Sequence, residues 1–196
     1  MKIIYAICSY LFGAIPFGYI IFLIREKKDI RDFGSHSIGA TNVLRLKGWG
    51  YAVPIVLTDI LKGFLPVFLA LKLFPDKSFA LLCGFMAVLG HCFPVYIKFK
   101  GGKGVATTVG VYAVLALKPL LLSVVFFLII VAIFRYVSLG SILATLSFPL
   151  FVFLFKGDIE LVFLSFAVFT LVALRHKGNI ERLLRGKERK LGERIG

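Results

Sequence analysis

The sequence predicts an all-α integral membrane protein of seven transmembrane helices, N-terminus outside and C-terminus cytoplasmic, forming one domain over residues 1–196. Three observations lead there. Apolar residues make up 59% of the chain and charged ones only 17%, whereas a soluble domain averages roughly 45–50% and 25%. The mean hydropathy is +0.94, and the charges fall in clusters between long apolar runs. Those clusters are basic: the net charge is +14. Such a charge would also suit a nucleic-acid binder, but clusters abutting apolar runs are better explained by positive-inside topology, and no nucleic-acid partner is expected.

The first apolar run, Ile3 to Ile24, is long enough to cross a core of about 30 Å at roughly 1.5 Å per residue. No cleavage site follows it, so it reads as a retained span. Pro16 and its neighbouring glycines predict a kink or a close helix approach inside it. The chain then leaves the membrane through Arg25 to Asp32 and enters Phe33-Gly-Ser-His-Ser-Ile-Gly-Ala-Thr-Asn-Val-Leu-Arg-Leu-Lys-Gly48. Ser35, Ser37, Thr41 and Asn42 there are oxyanion donors, and Arg45 carries a guanidinium fork that fits a phosphate.

The second span, Trp49 to Phe74, holds Asp59 and Lys62 deep inside it. Their i,i+3 spacing puts them on one face, where they read as a structural ion pair facing the bundle interior, with direct catalysis as the other reading. The third, Phe79 to Ile97, ends in Gly90-His-Cys-Phe-Pro94, where His91 reads as a packed, hydrogen-bonded histidine in preference to a ligand or proton carrier. Cys8, Cys83 and Cys92 lie in apolar segments without metal or disulfide spacing and read as buried small hydrophobes. Val105 to Phe134 would be about 45 Å long as one helix. A turn at Lys118-Pro119 divides it better, because proline breaks a helix interior. Charge agrees: with two spans, the loops at 25–48, 98–104 and 135–140 and the tail from 175 share one side and hold 18 of the 24 Lys and Arg residues. The sixth span ends near Phe155 and the seventh runs from Ile159 to Leu174. In the basic tail, Ile180, Leu183 and Leu184 fall at helical spacing, predicting a short amphipathic helix at the interface with membrane lipid.

Between the third and fourth spans lies Lys98-Phe-Lys-Gly-Gly-Lys-Gly-Val-Ala-Thr-Thr108. Glycines let backbone N–H groups approach a bound group closely, and a helix starting near Val105 aims its positive end at the same point. The stretch reads as a phosphate cradle. It lacks Walker A spacing and a βαβ context. Taken alone it also fits a short basic loop that fixes membrane orientation. Four polar corners therefore meet on one membrane face, carrying Ser35, Asn42, Arg45, Lys103, Ser141, His176 and Asn179. No carboxylate cluster or His/Cys set of metal-binding type accompanies them, and no Gly-x-Ser-x-Gly elbow. A transporter would place its site near the midplane, often with inverted repeats, and none is visible here. A purely structural membrane subunit would leave the polar corners unexplained.

Gly34-Ser…Gly39-Ala-Thr-Asn-Val-Leu-Arg45, then Gly90-His-x-Phe-Pro94 with Phe99-Lys-Gly-Gly-Lys-Gly-Val-Ala-Thr107, Arg135-Tyr-x-Ser-Leu, and Arg175-His-x-x-Asn-Ile-x-Arg-Leu183 resemble the bacterial acyl-phosphate:glycerol-3-phosphate acyltransferases, in the family's order and over the whole chain. The first motif departs from it, with His36-Ser37 where Gly-Asn is common, and Ala14 replaces a frequent serine. The resemblance implies an inner-membrane enzyme, active on the cytoplasmic face, transferring an acyl chain from acyl phosphate to the 1-hydroxyl of glycerol 3-phosphate. It implies no cofactor and no metal. It marks His176, Asn179 and Ser35 as catalytic, and Arg45, Lys103, Ser141, Asn42, Gly39, Gly101, Gly102 and Gly104 as substrate-binding. Acyl phosphate is a mixed anhydride with a stable leaving anion. The chemistry it needs is the joining of two screened anions and the orienting of an alcohol on a carbonyl. Arg45 and Lys103 are expected to hold the glycerol 3-phosphate phosphate with Ser35 and Ser141, and the glycines to cradle the acyl phosphate.

Overall fold

The computed structural model describes residues 1–193, apart from the Lys156 side chain; Arg194, counted in the basic tail above, lies outside the described residues. Every regular element among them is helical. The chain divides into two compact units, Met1–Val111 and Tyr112–Leu191.

In the first unit the leading span is broken in two, α1 (Lys2–Gly13) and α2 (Phe17–Glu26), around Ala14-Ile15-Pro16. The kink expected at Pro16 is present. Proline supplies no N–H and clashes with the preceding turn, so the helix stops there. A polar corner follows, with α3 (Ala40–Lys47) leading through Gly48 at φ +79° into α4 (Trp49–Leu73). Pro54 inside α4 donates no hydrogen bond to the carbonyl of Gly50, and the Arg25 guanidinium donates to that carbonyl instead, at 3.2 Å. Glu26 at the end of α2 accepts from Lys47 and from the Tyr51 hydroxyl, tying α2, α3 and α4 together. Next comes α5 (Lys77–Cys92), whose first turn is capped by Asp76, accepting from Phe79 N at 3.0 Å.

Small residues decide how closely these helices approach. A Cβ on Gly13 would lie 2.2 Å from the Ala87 carbonyl oxygen, and one on Gly90 2.2 Å from that of Tyr10. So α1 and α5 cross backbone to backbone, the close approach that small residues permit between membrane helices. The helix α6 (Val105–Leu115) leaves the glycine loop and lies against α4 in the same way, Gly110 against Ile60 O and Gly63 against Thr107 O.

In the second unit, α7 (Leu117–Phe134), α8 (Val137–Lys156) and α9 (Ile159–Arg175) pack in sequence. They turn at Arg135 and Gly157, both with φ near +60°. The break expected at Lys118 falls two residues earlier, at Ala116. Lys118 and Pro119 belong to the first turn of α7, where a helix needs no N–H from proline. Tyr112 stacks on Phe148 with ring centroids 3.7 Å apart. The last helix, α10 (Lys177–Leu184), bends away from α9 by 65° at His176.

Among the described residues, five segments are long and apolar enough to cross a membrane: Lys2–Glu26, Trp49–Leu73, Lys77–Ile97, Leu117–Phe134 and Val137–Phe155. The bent pair of α9 and α10 brings the number to six. At 11 residues, α6 is the shorter apolar element, about 16 Å at 1.5 Å per residue. The expected burial of the cysteines holds for Cys83 and Cys92 but not for Cys8, which is exposed on α1. That helix presents Ile3, Ile4 and Ile7 outward too. Toward lipid, an outward apolar face costs nothing.

Candidate active site

In the first unit, the loop from Phe33 to Gly39 is organised by one buried amide. Asn42 Oδ1 accepts from Ser35 N at 2.8 Å, while its Nδ2 donates to the carbonyls of Phe33 at 3.1 Å and Ser37 at 2.9 Å. The Asn42 carboxamide is thus engaged within the loop, and Ser35 is held by its backbone. Gly39 is the N-cap of α3, its N–H donating to Ser37 Oγ at 3.2 Å. His36 sits at φ +56° and its ring meets the Arg31 carbonyl at 2.7 Å. This left-handed position suits glycine better than histidine. Arg45 projects, half-buried, from the last turn of α3.

The glycine loop is folded against the end of α5. Lys98 and Phe99 both adopt left-handed backbone, φ 57° and 60°, a conformation that costs about 1–2 kcal/mol per L-residue. Neighbours hold it there. Phe99 N donates to Pro94 O at 2.9 Å, Lys100 N to Ile97 O at 3.3 Å, and Gly102 N to His91 O at 3.1 Å. Side chains have no room at Gly101, where a Cβ would lie 2.2 Å from His91 O. At Gly102 it would lie 2.1 Å from His91 Nε2. Gly104, at φ +86°, accepts from Thr108 N and starts α6. Lys103 lies half-buried within this turn. The arrangement is compact, glycine-lined and basic, as an oxyanion cradle requires.

The Asp59–Lys62 pair expected in the second span is formed and buried: Lys62 Nζ lies 2.9 Å from Asp59 Oδ1 and donates to Ile15 O, also at 2.9 Å. Ile15 sits in the gap of the broken first span. Breaking a helix within a membrane leaves carbonyls needing donors, and Lys62 provides one. His91, expected to be packed, is buried, with Nδ1 3.6 Å from Asp59 Oδ1.

The second unit holds a polar cluster of its own. His176 is buried at the α9–α10 bend, its Nδ1 2.8 Å from Val172 O. A carbonyl only accepts, so Nδ1 carries the proton and the neutral ring has its lone pair on Nε2. Asn179 is buried one turn later. Ser141 Oγ donates to Val137 O at 2.8 Å, so its single proton is used within α8.

The sequence reading passed over the hub of this cluster. Glu188 is buried and accepts from Ser138 Oγ at 2.9 Å, Asn179 Nδ2 at 2.7 Å and Arg182 Nε at 2.8 Å. With Leu191 N donating to Arg135 O at 2.6 Å, it folds the tail back over the mouth of α8. Burial pushes the Glu188 carboxyl up, but the hydrogen bonds from Asn179, Ser138 and Arg182 and the Arg182 charge outweigh it and hold it below its ordinary value. A carboxylate with a lowered folded-state pKa contributes stability above its unfolded pKa and loses it as pH falls through the folded value. Glu188→Gln should therefore cost about 1.5–3 kcal/mol at neutral pH, the range for hydrogen bonds to a charged group. It should also flatten the acid limb below the ordinary glutamate pKa of about 4.3. Thermal unfolding in detergent micelles across pH measures both, and an unchanged transition and acid limb would remove Glu188 from this role.

The fold so described is that of an all-helical, multi-pass integral membrane protein, with polar clusters at the ends of its spans. The family model for glycerol-3-phosphate acyltransferase matches residues 3–186. The chain is 46% identical over 194 residues to the glycerol-3-phosphate acyltransferase of Thermosipho melanesiensis, spanning 97% of this chain and 93% of that one. It is 42% identical over 191 residues to that of Endomicrobium trichonymphae, spanning 97% and 96%. Among solved structures it is similar to PlsY, an integral membrane glycerol 3-phosphate acyltransferase. In that protein's glycerol 3-phosphate form the TM-score is 0.93 at 41% identity, covering 97% and 96% of the two chains. In its lysophosphatidic acid form the TM-score is 0.90 at 40% identity, covering 98% and 96%. The chain belongs to the glycerol-3-phosphate acyltransferase (PlsY) family.

Proposed function

We propose that this chain transfers an acyl group from acyl phosphate to the 1-hydroxyl of glycerol 3-phosphate, giving lysophosphatidate and inorganic phosphate as the first step of phospholipid synthesis. The observation that carries the reading is the family match over 3–186, which takes in the Ser35–Arg45 corner, the glycine loop, Ser141 and the His176–Asn179 pair. The likeness to a relative solved in glycerol 3-phosphate and lysophosphatidic acid forms supports that acceptor and product. The extent of the match also supports treating 1–196 as one acyltransferase domain.

In the proposed reaction the alcohol oxygen attacks the acyl carbonyl, the carbonyl–phosphate bond breaks, and phosphate leaves with its electron pair. Arg45 forks onto the phosphate of glycerol 3-phosphate, with Lys103 as a second cation, Ser35 as a hydroxyl donor, and Ser141 as another once its proton leaves Val137 O. Gly101, Gly102 and Gly104 keep the loop free of side chains, so that loop N–H groups other than that of Gly102, which His91 O holds, cradle the acyl phosphate. Asn42 and Gly39 serve by shaping the loop that carries Ser35. His176 orients and shields, with Asn179 holding the bend through Glu188. Phosphate release by the purified protein, given acyl phosphate and glycerol 3-phosphate, tests this. Release with both substrates and not with either alone is expected. Transfer from acyl-CoA or acyl-carrier protein, with acyl phosphate inert, would overturn the donor.

We further propose seven crossings in the cytoplasmic membrane, N-terminus out, with the motif corners and the C-terminus in the cytoplasm, and α6 as a short crossing. The six, three, one and eight Lys and Arg residues of the four corners support it by the positive-inside rule. Cysteines placed at the exposed positions Lys28 and Lys187 should be shielded from an impermeant thiol reagent in intact cells, while one at Lys77 should label. Labelling at Lys187 without labelling at Lys28 means an even number of crossings.

A further inference from the structure

The glycine loop is held by a residue that none of the roles above uses. His91 receives the Gly102 N–H on its carbonyl at 3.1 Å, and its ring lies where any side chain on Gly102 would have to go. Behind that ring stands Asp59, with Oδ1 3.6 Å from His91 Nδ1 and 2.9 Å from Lys62 Nζ. Lys62 in turn reaches Ile15 O in the break of the first span. All three side chains are buried, with Lys62 at 1% and Asp59 and His91 at 4% exposure. A chain of contacts thus runs from the break between α1 and α2, through α4 and α5, to Gly102.

A structural ion pair alone leaves much of this unexplained. Lys62 is served by Asp59 and Ile15 O, yet a buried ion pair adds little net stability over an apolar pair of the same volume. What the apolar pair cannot do is present an anion to His91 Nδ1 and so fix the ring against the loop. The loop needs such a fixture, because Lys98 and Phe99 hold it in a strained backbone that persists only where the surroundings impose it.

We infer that Asp59, Lys62 and His91 are positioning residues for the glycine loop: the buried pair orients the His91 ring, and His91 holds Gly102 in its phosphate-cradling shape before substrate arrives. The inference rests on the proposed acyl phosphate reaction for its kinetic readout but not for its structural one.

The test has two arms. Asp59→Asn with Lys62→Met removes the charges together, and His91→Asn removes the ring that packs against Gly102 without adding bulk there. Both should raise KM for acyl phosphate about 10- to 100-fold, the cost expected of misplacing a binding group by about 1 Å. The KM for glycerol 3-phosphate and kcat should change little, while the unfolding temperature of the double variant in micelles should fall, because Ile15 O loses its Lys62 donor. A folded double variant with the wild-type KM for acyl phosphate reduces the pair to structure and overturns the inference. The second arm needs no variant: hydrogen exchange of the Gly102 amide in substrate-free wild-type protein should be slow. Exchange at the rate of an open loop amide overturns the inference even where the variants fail to fold. Absence of phosphate release by wild type would instead sink the proposed reaction and leave the exchange arm standing.

Discussion

Arg45→Lys is expected to raise KM for glycerol 3-phosphate by roughly 10- to 150-fold, the equivalent of about 1.5–3 kcal/mol for a charge-assisted contact. Lysine keeps the positive charge and loses the planar fork that grips two phosphate oxygens at once. The surroundings make the comparison clean. Arg45 sits on the last turn of α3, a helix capped at Gly39 and tied at its other end by Lys47 to Glu26, which also accepts from Tyr51. Since Arg45 is only half-buried, the substitution should leave unfolding temperature near wild type. The acyl phosphate KM should move far less than the acceptor KM. Wild-type kinetics in the variant would take Arg45 out of the acceptor site.

What was legible in the sequence was local. Asp59 and Lys62 are three apart on one helix, so their pairing follows from helical spacing alone, and it is formed at 2.9 Å. Pro16 signals its break by the absence of an N–H, and the break falls beside it. The division of 105–134 was visible in its length and in Lys118-Pro119, although the chain turns at Ala116 and accepts the proline inside the first turn of α7. The helix bearing Ile180, Leu183 and Leu184 is present as α10.

What stayed hidden depends on contacts distant in sequence. Glu188 looks like one more solvated charge in the basic tail. Its partner Ser138 is 50 residues away, and its burial follows only when the tail folds back. Asn42 shows an amide suited to an oxyanion. Nothing in its spacing reveals that Ser35, Phe33 and Ser37 claim all of it. His91 reads as a packed histidine, which it is, but its contact with Gly102 arises because the loop doubles back on the end of α5. The glycines of the helix crossings were similarly mute. Gly13 and Gly90 are ordinary small residues until α1 and α5 bring their backbones together.

His176→Gln should retain measurable kcat, with the pH–rate limb staying near the second pKa of the substrate phosphate, about 6 for a phosphate monoester. Two routes for the hydroxyl proton compete. In one, His176 Nε2 takes it: Nδ1 donates to Val172 O at 2.8 Å, so the neutral ring offers Nε2 as an acceptor, as a general base requires. In the other, the phosphate of glycerol 3-phosphate takes it, and His176 holds the substrate in place. We favour the second, because the substrate brings that phosphate close to its own hydroxyl whatever the protein does. His176→Ala cannot separate the routes, since general-base catalysis contributes about 10²–10⁴-fold and a lost orienting contact on a buried residue can cost as much. Glutamine can separate them. Its amide replaces an orienting hydrogen bond and is no base at neutral pH. Under the substrate-assisted route the glutamine variant should outperform the alanine variant clearly in kcat, with the same limb as wild type. If His176→Gln falls to background while binding glycerol 3-phosphate normally, the imidazole is the base and the substrate phosphate is only a handle.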